Sequence, residues 1–278
     1  MPLFLFPSFS LFKANIVFKR FIAFQRFFLL NALGACEMIM AAADNNGDNF
    51  ILQVSNLTVE ISNQPIINNL DFKIKRGITL AIVGPNGAGK TTLFRALLNL
   101  IPYTGKIEWR GKVKIGYVPQ ILSVRDIPIS VKEFLALKNE SKEDMKAVLT
   151  SVGLDGETIL EKSLATLSGG QMRRVLIAWA IVDKPDVLLF DEPTSGVDLD
   201  SEEAIYGMLR KLTEKNEITL LLISHDLHIV REYSDYALAL NKCLVFFGES
   251  KEVMNPETQK LIYGEPICKE YEYGDIHA

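Results

Sequence analysis

Nine consecutive residues constrain this chain most: Gly84-Pro85-Asn86-Gly87-Ala88-Gly89-Lys90-Thr91-Thr92, set directly after the apolar run Leu80 to Val83. A short apolar run without alternation suits a parallel strand buried on both faces. The residues from Thr91 to Leu100 read as a helix. Glycines between a strand and a helix let backbone N–H groups turn inward, and the helix points its positive end at whatever sits there. The segment is a phosphate-binding loop, in which Lys90 reaches the β- and γ-phosphates and the Thr91 hydroxyl ligates Mg²⁺. A loop of this kind commits the chain to an α/β architecture.

Two further runs, Val187 to Phe190 and Leu220 to Ile223, have the same unalternating apolar character. Each ends in chemistry. Asp191-Glu192-Pro193 follows the first, and neighbouring side chains at a strand end point different ways. Asp191 is therefore placed for the Mg²⁺ shell and Glu192 for orienting and deprotonating a water. Ser224-His225 follows the second. In open parallel sheets ligands bind beyond the carboxyl ends of the strands, which collects Lys90, Thr91, Asp191, Glu192 and His225 around one nucleotide. Helices are expected over Ser130 to Leu137, Lys142 to Val152, Gln171 to Val182 and Ser201 to Glu214, with a largely helical insertion from about residue 121 to 180. The stretches Ile51 to Val54, Leu57 to Ile61 and Leu70 to Ile74 alternate as edge strands.

Charge excludes some alternatives. With 30 basic and 34 acidic side chains the net charge is −4, far from the basic excess of a general nucleic-acid binder. The three cysteines (Cys36, Cys243, Cys268) and three histidines (His225, His228, His277) are widely spaced, matching no disulfide framework, zinc knuckle or dense histidine site and favouring a reducing compartment. Residues 1–49 read as an extension outside the fold. Their phenylalanines and scattered basic residues fit either a segment lying on a membrane surface or a stretch preceding a later start at Met38 or Met40. Uncharged runs there are too short to span a membrane, which takes about 20 residues.

One motif separates this chain from other phosphate-loop proteins: Leu167-Ser168-Gly169-Gly170-Gln171 at the head of a helix. Ser168 is a natural N-cap, and the glycines leave backbone amides bare, making a second anion-binding nose. The ordered set of phosphate loop, Gln120, Leu-Ser-Gly-Gly-Gln, Asp191-Glu192 and His225 resembles the nucleotide-binding domain of ABC ATPases over about residues 50–250. Ser195-Gly196-Val197-Asp198 resembles the D-loop of that family. The resemblance implies an ABC-type fold: a mostly parallel core sheet, an N-terminal antiparallel β subdomain, an inserted helical subdomain at about 121–180, and a short tail at about 264–278.

It further implies binding of ATP and Mg²⁺. Glu192, His225 and Gln120 would be catalytic; Gly84 to Thr92, Ser168, Gly169, Gly170, Gln171 and Asp198 would hold nucleotide; Thr91, Gln120 and Asp191 would hold the metal. In the family the Leu-Ser-Gly-Gly-Gln of one subunit caps the γ-phosphate held by another, so a homodimer is expected in the ATP-bound state. Two departures stand out. Ile61 matches a position that is usually aromatic and stacks on adenine, which leaves base selectivity open, and Trp179 stands where many members carry arginine.

Lys114-Ile115-Gly116-Tyr117-Val118-Pro119-Gln120, Thr194 to Asp198 and Ser224-His225-Asp226-Leu227-His228 narrow the likeness to ATP-binding subunits of bacterial zinc importers, with manganese and iron importers as near relatives. That implies integral membrane permease subunits as partners, a periplasmic or surface metal-binding protein upstream, no nucleic acid, and a peripheral position on the cytoplasmic face of the inner membrane. An apolar patch at Ile127, Ile129, Phe134 and Leu135 is the expected docking surface for a permease groove. A cytosolic ABC-type assembly ATPase is the alternative.

Overall fold

The computed structural model describes residues 49–120, 129–138, 141–192 and 199–264. They divide into two compact units, one formed by the described residues of 121–183 and the other by those on either side. The extension, Ile127, the segment Pro193 to Asp198 and the tail beyond Gly264 lie outside the described residues, as do Cys36, Cys268 and His277.

The larger unit carries two sheets. Strands β1 (Phe50–Ile61), β2 (Gln64–Lys75) and β4 (Thr104–Trp109) form an antiparallel sheet in the order β2-β1-β4. The expected edge strands at Ile51 to Val54 and Leu57 to Ile61 are one continuous strand. Asn56 sits between them with φ 50°, and the β1–β2 pairing shifts register between Val54 and Leu57, so the strand bends without ending.

The second sheet holds six strands in the order β5-β6-β7-β3-β8-β9: β3 (Thr79–Val83), β5 (Ile115–Val118), β6 (Val187–Asp191), β7 (Thr219–Ile223), β8 (Tyr236–Asn241) and β9 (Cys243–Glu249). Every pairing is parallel except β8 with β9. The three continuous apolar runs are β3, β6 and β7, each buried at every residue, as parallel strands covered on both faces must be. Helices α1 (Lys90–Leu97), α6 (Leu199–Asn216), α7 (Leu227–Tyr233) and α8 (Pro256–Tyr263) complete the unit. Strand order matters for the chemistry. Because β5, β6, β7 and β3 are consecutive neighbours, the residues just beyond their carboxyl ends share one edge. Cys243, at the start of β9, is disulfide-bonded, against the expectation from cysteine spacing.

The helical unit contains α2 (Val131–Ala136), α3 (Lys142–Ser151), α4 (Gly156–Leu160) and α5 (Gly169–Ile181). Sequence punctuates it well: Ser130 and Ser168 each close a reciprocal capping box, with Glu133 and Gln171, and Ser141 caps α3. The expected apolar docking patch is corrected here. Phe134 and Leu135 are 0% exposed; they face inward because α2 must bury its apolar side to stay in the unit. Trp179 of α5 is buried and stacks on Phe134 with ring centroids 5.8 Å apart. The Lys138 ammonium lies 4.2 Å from the Trp179 ring centroid and pairs with Asp183 at 3.0 Å. A cation thus reaches this site from the end of α2, through a cation–π contact on the indole face.

Candidate nucleotide site

The phosphate loop is shaped by the strand behind it. Gly84 has φ 144°, and a Cβ there would lie 2.0 Å from the Leu240 carbonyl oxygen of β8. Only glycine permits that approach. The turn after β8 closes the back of the loop: the Lys242 N–H donates to the Ala88 carbonyl at 3.1 Å, and the Lys242 carbonyl accepts from the Asn68 N–H at 2.6 Å. Gly84→Ala is therefore expected to destabilise the fold by about 3 kcal/mol or more, as an overpacked and conformationally strained site. A guanidinium unfolding midpoint unchanged from the native chain would contradict this.

Gly89 begins α1 with φ 101°, no side chain caps the helix, and its first turn holds no acid. The leading N–H groups are thus directed at the loop, the arrangement that favours phosphate. Lys90, 6% exposed, donates from Nζ to the carbonyls of Gly84 at 2.8 Å and Pro85 at 2.9 Å. Burial holds its pKa below the ordinary lysine value, while the nearby charges of Glu192 and Asp191 oppose that shift. Pro85 is half-buried and Asn86 and Gly87 are exposed at the loop tip.

The two acids at the end of β6 take different partners. Asp191, 1% exposed, accepts from the Thr91 hydroxyl at 3.3 Å and from the hydroxyl of Tyr117 on the neighbouring strand β5. Burial first, and the Asp191 charge second, push the Tyr117 phenol well above its ordinary range, so it stays a donor. Thr91 and Asp191 offer the hard oxygen pair that Mg²⁺ prefers, opening onto the phosphate loop; the residues fit the ion. Glu192 turns the other way. Its φ is 46°, a left-handed conformation that costs a non-glycine residue about 1–3 kcal/mol. Gln120 Nε2 donates to one of its carboxylate oxygens, and His225 Nε2 contacts the other. The neighbour of His225 anchors it at the sheet edge, for Asp226 caps α7 by accepting from the His228 and Ile229 N–H groups.

Lys90, Thr91, Gln120, Asp191, Glu192 and His225 thus converge at the carboxyl ends of β3, β5, β6 and β7. Ser168, Gly169, Gly170 and Gln171 form the N-terminal end of α5 in the helical unit. Added Cβ atoms at Gly169 and Gly170 would meet nothing within 4 Å, so these glycines answer no packing need within the described residues. Ile61 ends β1 and is 47% exposed. Asp198 lies outside the described residues. Tyr117 and the Leu240–Lys242 turn were not among the residues singled out for the site. A hydroxyl inside the apolar pattern Ile115 to Val118 was the only local signal for Tyr117.

Comparison with known proteins decides the family. A family model described as ABC transporter matches residues 67–195. A zinc import ATP-binding protein of Pseudomonas aeruginosa is 35% identical over 221 residues, covering 78% of this chain and 81% of the relative. The chain belongs to the ABC transporter family. A probable metal transport system ATP-binding protein of Thermotoga maritima is 39% identical over 224 residues, with 77% of this chain and 90% of that protein covered. Among solved structures, an inward-facing putative metal-chelate type ABC transporter superposes with a TM-score of 0.69 at 27% identity, covering 77% of this chain and 89% of that one. The cbiO1 part of an ABC transporter complex from Clostridium perfringens gives 0.66 at 28% identity, covering 76% and 92%. As an ABC protein the chain has the expected α/β fold, with its mostly parallel sheet and separate antiparallel sheet.

Proposed function

We propose that this chain is the ATP-hydrolysing motor subunit of an ABC importer for a divalent metal ion, zinc foremost, and that it works as a homodimer on membrane permease subunits at the cytoplasmic face of the membrane. The observation that carries the reading is Glu192 held between Gln120 and His225 at the sheet edge that also presents Lys90. Relatives named for zinc import and metal transport support the choice of cargo. Among the described residues no helix is long and apolar enough to cross a membrane. The metal is cargo, delivered to the permease by a periplasmic or surface binding protein, so this chain need not touch it.

The division of labour follows from this reading. The phosphate loop and Lys90 bind the β- and γ-phosphates. Thr91, Asp191 and Gln120 would hold Mg²⁺, which would supply neutralisation of the phosphate charge. Glu192 orients and deprotonates the attacking water, and His225 and Gln120 fix the carboxylate that does so. Ser168 and the amides of Gly169 and Gly170 cap the γ-phosphate bound by a second copy, which gives those glycines the purpose that packing does not. The family resemblance assigns Asp198 to the nucleotide as well.

Co-expression with a candidate permease and uptake of radioactive zinc, manganese and iron into vesicles tests the reading. ATP-dependent zinc uptake is expected. Dominant manganese or iron uptake would reassign the cargo, and hydrolysis indifferent to any permease would favour a cytosolic assembly ATPase. Gln120 supplies a finer test, because it touches Glu192 and opens the helical unit's entry segment. Gln120→Ala should lower permease-stimulated hydrolysis at least tenfold, about 1.4 kcal/mol of barrier, while ATP affinity changes little. Equal loss of both would mean that Gln120 only supports folding.

A further inference from the structure

Tyr117 meets the site through the carboxylate of Asp191. It stands opposite Leu189 in the parallel β5–β6 pairing, so its side chain shares a sheet face with Leu189 and with Asp191 two residues further on. Only 6% exposed, it meets the Phe94 ring of α1 edge-on, with centroids 6.3 Å apart. Phe94 belongs to the helix that carries Thr91, so the packing ties the phenol to the same element as its neighbour at the site. The hydroxyl donates to Asp191, whose Oδ1 also receives the Thr91 hydroxyl at 3.3 Å.

A carboxylate rotates readily about its last torsion, which is broad and two-fold. A buried donor that cannot move removes that freedom, and a hydroxyl-to-carboxylate bond is among the stronger hydrogen bonds. We propose that Tyr117 is a positioning residue: it holds the Asp191 carboxylate toward Thr91 and thereby sets the preference of the site for nucleotide carrying a divalent cation over free nucleotide. The proposal rests on the ATPase reading above. It assigns Tyr117 no contact with nucleotide.

The test uses the full chain and trinitrophenyl-ATP fluorescence, titrated first in excess EDTA and then with Mg²⁺. Tyr117→Phe keeps the ring and its contact with Phe94 and deletes one oxygen. Its EDTA affinity should stay within about twofold of the native chain, while the Mg²⁺ concentration for half-maximal response rises roughly tenfold, the loss of one charge-assisted hydrogen bond. Hydrolysis should recover at high Mg²⁺. Phe94→Leu, which disturbs the same packing but leaves the hydroxyl, should lower the melting temperature without moving the Mg²⁺ midpoint. An unmoved midpoint in Tyr117→Phe, an equal loss in EDTA, or the same shift in Phe94→Leu would overturn the proposal. A native chain whose nucleotide binding ignores Mg²⁺ would instead bring down the ATPase reading, and the role of Tyr117 with it.

Discussion

Glu192→Gln is expected to turn the chain into a stable ATP-bound dimer. The amide keeps the shape of the side chain and one oxygen for the Gln120 amide, so the loop after β6 should hold its conformation. What it loses is the ability to take a proton from water. Removing a general base costs about 10²–10⁴ in rate, long enough for the closed state to persist through size exclusion. The native chain should elute mainly as a monomer and the variant as a dimer, with ATP and Mg²⁺ required. Adding Ser168→Arg should abolish that dimer, since a bulky cation would invade the phosphate contact. Ser168 also caps α5, and the loss of a cap costs about 1 kcal/mol, so circular dichroism must show the double variant folded. If Glu192→Gln hydrolyses ATP at the native rate, or dimerises equally without nucleotide, the shared two-subunit site is wrong for this protein.

Lys90→Met should separate binding from folding. Methionine preserves the unbranched apolar stem and removes the charge. Loss of one partner in a desolvated charge pair costs about 2–5 kcal/mol, so ATP affinity should fall by roughly 100-fold or more. Stability should respond differently. Burial depresses the lysine pKa in the folded state relative to its ordinary 10.5. The folded chain therefore binds that proton more weakly than the unfolded chain, and the resulting penalty is fully present at neutral pH. It is relieved only as pH climbs through the depressed value toward 10.5. The variant at pH 7 should thus melt no lower than the native chain, and the gap between them should narrow in the alkaline range. A clear drop in melting temperature at neutral pH would show that Lys90 is chiefly a structural counter-charge for Asp191 and Glu192.

Much of this was legible along the chain because the signals are local. The run Leu80 to Val83 followed by Gly84 to Thr92 needs only its own residues to specify strand, loop and helix. The same is true of Ser130 and Ser168, whose capping partners lie three residues downstream. Strands β6 and β7 announced themselves by lacking alternation, and Glu192 and His225 by ending them. Their meeting could be anticipated because parallel strands share a carboxyl edge.

Other features were set across the fold, where no sequence pattern reaches. The inward turn of Phe134 and Leu135 removed those two residues from the expected docking patch, because a short helix buries its apolar residues in its own unit before presenting any to a partner. Leu240 and Lys242 shape the phosphate loop from more than 150 residues away, through backbone groups that leave no mark on side-chain pattern. Tyr117 reaches Asp191 only because β5 pairs with β6 in one register; a shift of one residue would turn it to the opposite face. The sequence by itself determined the loop, the family and the placing of two acids at the end of one strand, since short-range spacing encodes them. What holds each carboxylate in place, Thr91 and Tyr117 for Asp191 and Gln120 and His225 for Glu192, was decided by strand order and register, which exist only once the sheet has formed.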